Sequence, residues 1–160
     1  MPHVNCKNGA AVIIGKGNKF LSKSWSNLLG INHRCMLSAS NNDAKLFIGS
    51  KCGFSGVTIW CFKEINIGNN VRVGANTMIF DGDAHQNDPR AGEDKPIVIE
   101  DNVWIGANVM VLKGVTIGRN SLIGAGSVVT SSIPENVIAA GNPCKVIRQL
   151  DDMVIKQLEC

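Results

Sequence analysis

The chain has 160 residues, of which 44% are hydrophobic and 18% charged, with seventeen glycines and no tyrosine. These are ordinary values for one soluble globular domain, here spanning 1–160. The net charge of +3 comes without a dense Lys/Arg block, which argues against nucleic-acid binding, and no apolar segment is long enough to span a membrane.

The cysteines are Cys6, Cys35, Cys52, Cys61, Cys144 and Cys160, and no two form a CxxC pair. The opening MPHVNCKNGAAVIIGKGN lacks a basic start followed by a long apolar run. The expected compartment is therefore the cytoplasm, with reduced thiols that serve mostly as small core residues.

In chain order, residues 1–45 are β-rich and irregular and carry no motif. The next stretch, KLFIGSKCGFSGVTIW, is strand-like but slips register. A beat then begins at Ile67, Val73 and Ile79 and returns at Ile99, Ile105, Val111, Ile117, Ile123 and Val129. A spacing of six does not suit an amphipathic helix, because six steps of about 100° scatter the side chains in three directions. On strands the same spacing is compatible with one inward face. Each hexad also carries a turn-prone triplet, EDN, GAN, LKG, GRN, GAG or TSS, and Gly and Asn tolerate the positive φ of sharp corners. Three such units close a triangular coil. The next coil stacks at the strand spacing of about 4.8 Å, with Ile99 beneath Ile117, Ile105 beneath Ile123 and Val111 beneath Val129.

Between the two runs, Ile79 and Ile99 lie twenty residues apart where the beat expects eighteen. His85 sits in that gap, so 80–96 is expected to be a loop leaving the prism. The end of the chain, QLDDMVIKQLEC, places Leu150, Val154 and Leu158 at helical spacing and predicts a helix over 149–160 covering the open end of the coil.

The hexads, the loop DGDAHQNDPR, and the stretches VWIGANVMVLKGVTIG, SLIGAGSVVT and AAGNPCKVIRQL resemble the hexapeptide-repeat acyltransferases over roughly 48–150, with the sugar and polysaccharide O-acetyltransferases and the maltose and galactoside acetyltransferases as nearest kin. The resemblance implies an all-β fold: a left-handed parallel β-helix of hexapeptide repeats with a protruding active-site loop and a short C-terminal helix. It implies acetyl transfer from acetyl-CoA, without a metal, to a hydroxyl of a sugar or sugar nucleotide. It also implies a homotrimer with the active-site groove between two subunits.

An alcohol attacking a thioester needs a base, and imidazole titrates near neutral pH. A lone loop histidine is ordinarily a solvated residue. The register break, the neighbouring Asp81, Asp83 and Asp88, and the family's loop histidine assign His85 to catalysis. One of these carboxylates could orient the ring, and sequence alone leaves open which; Arg90 is expected to hold the loop through a carboxylate. His3 and His33 lack such surroundings. The backbone N–H of Ala107 is the candidate oxyanion donor; the galactoside type often has serine there.

By the same resemblance, Ala107 and Ala125 match corners that bind the pantetheine arm, Trp104 could line its thioester end, Thr130 and Ser131 match positions near the nucleotide, and Lys145 and Arg148 match its phosphate contacts. A regular strand from Pro143 would put Lys145 and Arg148 on opposite faces, so they converge only if the chain bends or a subunit boundary intervenes. Ser55 and Asp83 are candidates for contacting the acceptor, and Trp60, Phe62 and Phe80 could offer aromatic faces. A zinc carbonic anhydrase would need two histidines close in sequence, which His85 does not have. The alternative to an enzyme is a non-catalytic β-helix scaffold or sugar-binding protein.

Overall fold

The computed structural model describes residues 1–85 and 87–158. In chain order the strands are β1 (His3–Cys6), β2 (Ala11–Ile14), β3 (Lys19–Leu21), β4 (Met36–Ala39), β5 (Lys45–Ile48), β6 (Gly53–Ser55), β7 (Thr58–Cys61), β8 (Glu64–Ile67), β9 (Arg72–Val73), β10 (Met78–Phe80), β11 (Ile97–Ile99), β12 (Trp104–Ile105), β13 (Met110–Val111), β14 (Thr116–Ile117), β15 (Leu122–Ile123), β16 (Val128–Val129), β17 (Val137–Ala140) and β18 (Lys145–Gln149). One helix, α1 (Asp152–Leu158), follows them.

The strands deal themselves in rotation onto three sheets. The first face is β1-β4-β7-β10-β13-β16, the second β2-β5-β8-β11-β14, and the third β3-β6-β9-β12-β15-β17-β18. All neighbours are parallel except β17 and β18. Each turn of chain therefore adds one strand to every face of a triangular prism, a left-handed parallel β-helix. The stacking follows the hexads: Ile99 pairs with Ile117, Ile105 with Ile123 and Val111 with Val129. These side chains point inward and are at most 1% exposed, each burial stabilising the prism by about 1.5–3 kcal/mol.

The corners explain the asparagines. Asn70, Asn102, Asn120 and Asn136 follow second-face positions in four successive coils, all with φ of 55–60°. Their amides form a ladder: Asn70 Nδ2 donates to Asn102 Oδ1 at 3.2 Å, Asn102 Nδ2 to Asn120 Oδ1 at 3.1 Å, and Asn120 Nδ2 to Asn136 Oδ1 at 2.8 Å. Asparagine both tolerates the left-handed conformation and links one coil to the next.

Four sequence expectations change. First, residues 1–45 contain a full coil, β1 to β3, in register with β4 to β6. The irregular part is 22–35, which leaves the prism between β3 and β4. Its length hides the repeat. Second, the slip in KLFIGSKCGFSGVTIW is a change of step: Ile48, Phe54, Ile59 and Ile67 occupy successive faces six, five and eight residues apart. Third, Ile79 and Ile99 lie on successive faces, not on one face a coil apart, so their twenty-residue separation replaces a step of six. Some fourteen residues loop out.

Fourth, α1 starts at Asp152 and does not cover the end of the coil. It runs beside the asparagine corner, where Asn102 Nδ2 donates to the carbonyl of Leu158 at 3.2 Å. The strand β18, held to β17, carries the chain to that corner, and Leu150 N is fixed there by Asn136 O at 2.7 Å. Positions 159 and 160, including Cys160, lie outside the described residues. The turn 141–144 closes the end instead: Val128 N donates to Gly141 O, Cys144 N donates to Val128 O, and Cys144 is buried in the core. Cys35, Cys52 and Cys61 are likewise free, buried core thiols, whereas Cys6 is exposed.

Candidate active site

The excursion 81–96 leaves from the end of β10, and its first residue anchors it. Asp81 is completely buried and accepts hydrogen bonds from the amides of Phe62 (2.6 Å), Lys63 (2.9 Å) and Glu64 (2.6 Å), closing the corner of the coil below. Its own carbonyl takes the amide of Lys95, which draws the two ends of the loop together. Gly82 follows where a Cβ would strike the Asp94 carboxylate and the Phe62 ring, so a larger residue would force those side chains to move.

Two ion pairs then shape the loop. Asp83 accepts from Lys113 Nζ at 2.6 Å and from Gly92 N at 3.2 Å. Lys113 stands at the same corner one coil further on, so this pair ties the loop to the prism. The Lys113 hydrogen bond holds the Asp83 carboxyl below the usual carboxylate range. Asp88 takes a two-pronged contact from Arg90, 2.9 Å from Nε and 2.7 Å from Nη2, and this lowers its carboxyl in the same way. Arg90 thus holds the loop as expected. The amide of Asp88 donates to the His85 carbonyl at 2.9 Å, making a turn with His85 exposed at its start. Asp81, Asp83 and Asp88 are all engaged by other groups. Lys113 is the residue that sequence reasoning missed; its place in the triplet LKG, at the corner next to the loop, was the available signal.

His85 borders two openings. One is a groove of about 550 Å³ whose floor is Thr58, Trp60, Phe62, Met78 and Phe80 and whose wall is the loop. Trp60 and Phe80 pair across β7 and β10 on the outer side of the first face, and the Trp60 and Phe62 rings lie 4.8 Å apart. Of the three aromatics only Phe62 is buried. The other opening, about 650 Å³, is polar, with Ser40, Asn41 and Asn87 beside His85.

The remaining sequence candidates fall in two places. Thr130 and Ser131 follow β16 at the loop's own corner, two coils beyond Phe80, and both are exposed. Ser55, Trp104, Ala107 and Ala125 belong to the third face and the corner where it meets the first. Ser55 is buried and, with Trp104 and Arg72, lines a separate cleft of about 240 Å³. Ala107 and Ala125 stack in adjacent coils, with Gly126 N donating to Ala107 O at 2.9 Å. Within one chain, face one separates this corner from His85, and Ser55 does not reach the His85 groove.

Lys145 and Arg148 end up on one face. The β17–β18 register shifts so that Lys145 opposes Ala140 while Arg148 opposes Ile138. Ala140 and Ile138 are two apart and point outward, and paired residues project to the same side of a sheet. The extra residue at the shift, Ile147, supplies a bend, one of the two alternatives that the sequence left open.

The sequence profile described as "Bacterial transferase hexapeptide (six repeats)" matches residues 96–131. A maltose O-acetyltransferase structure from Clostridium difficile 630 shares 31% identity over 92% of this chain and 71% of that one, with a TM-score of 0.50. This chain belongs to the hexapeptide-repeat transferase family. A second family structure, a galactoside acetyltransferase in complex with coenzyme A, is 29% identical over 88% of this chain and 66% of that one, with a TM-score of 0.56. The galactoside O-acetyltransferase of Lactococcus lactis is 48% identical over 98 residues, 58% of this chain and 47% of that protein. The chain spans about half the length of the curated relatives it matches. No helix among the described residues is long and apolar enough to cross a membrane.

Proposed function

We propose that this hexapeptide-repeat protein is an acetyl-CoA-dependent O-acetyltransferase acting on a hydroxyl of a sugar or polysaccharide precursor in the cytoplasm, with His85 as general base. The observation that carries the proposal is the placement of His85: exposed, on a loop fixed at both ends, between an aromatic-floored groove and a polar opening. The names of the galactoside and maltose relatives and the coenzyme A complex of one of them support the chemistry.

In this reaction the neutral imidazole takes the proton of the acceptor hydroxyl as its oxygen attacks the thioester carbonyl carbon. The tetrahedral oxyanion is met by the N–H of Ala107. Collapse breaks the carbon–sulfur bond, the imidazolium returns its proton to the leaving thiolate, and the ester and CoA are the products. The aromatic faces of Trp60 and Phe80 suit the apolar side of a sugar ring, and Asp83 accepts a hydroxyl of the acceptor beside them. Ser55, buried in the cleft with Trp104, could contribute only from the neighbouring copy. Trp104, Ala107 and Ala125 line the pantetheine arm, Thr130 and Ser131 lie toward the nucleotide, and Lys145 and Arg148 hold the phosphates. No step requires a metal.

The two groups of residues lie on different edges of one chain, so the working site joins the His85 loop of one copy to the Ala107 corner of the next. A cyclic homotrimer with heterologous contacts makes three such sites. Thiol release from acetyl-CoA, measured against a panel of sugars and sugar nucleotides, tests the reading. Acceptor-dependent release is expected. A chain that neither releases thiol with any acceptor nor binds CoA would be a scaffold.

A further inference from the structure

Charge is segregated along this chain. Residues 1–42 carry five Lys or Arg and no Asp or Glu, whereas 43–160 carry eleven bases against thirteen acids. All five of those N-terminal bases are exposed. They decorate the first coil and the excursion 22–35 that leaves it.

Apart from Met1, the same excursion displays the most exposed large apolar side chains: Leu28 at 105%, Trp25 at 77% and Leu29 at 75%. Their exposure is held in place. At the base, Ile31 is buried, Asn32 N donates to Asn76 Oδ1 at 2.8 Å, and Cys35 N donates to Ser22 Oγ at 3.2 Å. The tip is folded by local turns, Ser26 N to Lys23 O at 2.8 Å and Gly30 N to Asn27 O at 2.9 Å. Lys23 Nζ stands 5.5 Å from the centre of the Trp25 ring. The loop therefore turns one apolar residue inward and presents three outward among cations. Nearby, the inward-pointing Val4 and Ile14 of the first coil are 46% and 37% exposed, where the matching Leu37 and Ile48 are 1% and 3%.

We propose that this end of the prism is a docking surface for an anionic lipid bilayer, with Trp25, Leu28 and Leu29 entering the headgroup region and Lys19, Lys23 and Arg34 facing the anionic headgroups. The contact is adsorption, not a span. A convex apolar tip suits a fluid interface that closes around it, while a protein partner would need a matching cavity. Tryptophan favours the membrane–water boundary, and juxtaposed Lys and Arg add attraction that falls off within a Debye length. Nucleic acid would use the cations but leave the three apolar tips in water. A copy stacking end to end would bring lysines against lysines, with no carboxylate in 1–42 to meet them.

Co-sedimentation with vesicles tests this. The whole chain should pellet with phosphatidylcholine vesicles containing phosphatidylglycerol, not with phosphatidylcholine alone, and should be released when salt rises to about 0.5 M. The variant Trp25→Ser/Leu28→Ser/Leu29→Ser and the variant Lys19→Ser/Lys23→Ser/Arg34→Ser should each weaken binding by about ten-fold or more. Should the first variant lose its thermal transition, Leu28→Ser alone carries the test. The proposal is overturned if the wild type stays in the supernatant with anionic vesicles, pellets equally with neutral ones, or pellets as well after either set of substitutions. It is also overturned if the apolar substitutions lower the molecular mass in solution, because the surface then joins copies of this chain.

Discussion

Asp81 and His85 are four residues apart and do opposite things. Asp81 is a structural acceptor for three amides, so Asp81→Ala should orphan three donors and cost on the order of 3–9 kcal/mol in urea unfolding, at about 1–3 kcal/mol each. Asp81→Asn, which keeps one acceptor oxygen, should cost less. Beside it, burial, with the Asp81 charge as a second cause, pushes the Cys61 thiol up to about 12. Between about pH 9 and 12 the folded chain keeps a proton that the unfolded chain has lost, so stability should fall as pH climbs through that window. Ellman's reagent should accordingly label exposed Cys6 in the native protein and reach Cys61 only on unfolding; rapid native labelling of Cys61 would contradict its burial. Asp83 behaves in the other direction. Its lowered pKa means that the Lys113 contact helps the fold above the unfolded carboxyl range and is lost as pH falls through the folded pKa. Three aspartates near a histidine were legible in the sequence. Their separate partners were not, because an irregular loop carries no period from which to place them.

The corner asparagines are the elements' joints, and their worth can be read by substitution. Asn120→Ala keeps neither the ladder nor an easy φ of 60°, and should cost about 2–3 kcal/mol; Asn120→Gly keeps the conformation and should cost about 1 kcal/mol less. Equal losses in thermal denaturation would mean that the ladder, not the backbone, carries the effect. On β18, the shift at Ile147 brings Lys145 and Arg148 to one side, so either changed to Ala should raise the KM for acetyl-CoA about ten-fold with kcat little altered. The hexads of 99–129 were readable because each corner there has the same length. Upstream, steps of six, five and eight break the beat, and an excursion of about fourteen residues added to a step of six imitates a coil with two residues to spare. The helix was readable as a helix from its spacing, but its docking depends on β18 turning back along β17, which no local pattern announces.

His85 and the Ala107 corner flank different edges of the first face, so the proposed site needs the proposed homotrimer to bring them together. Light scattering should therefore give three times the 17.1 kDa chain mass under assay conditions, and full activity in a monomer would contradict a site shared between copies. Only the family resemblance implied a groove between two subunits; what the structure adds is that His85 and the Ala107 corner lie on different edges of one chain, which periodicity alone does not announce. The most direct measurement is acceptor-dependent thiol release from acetyl-CoA by wild-type and His85→Ala protein, with CoA binding measured on the same samples. His85 is exposed and lies outside the prism, so the variant should keep its thermal midpoint and its CoA affinity while turnover falls by about 10²–10⁴-fold. Undiminished turnover with an unchanged pH profile in His85→Ala would contradict the assignment of the base.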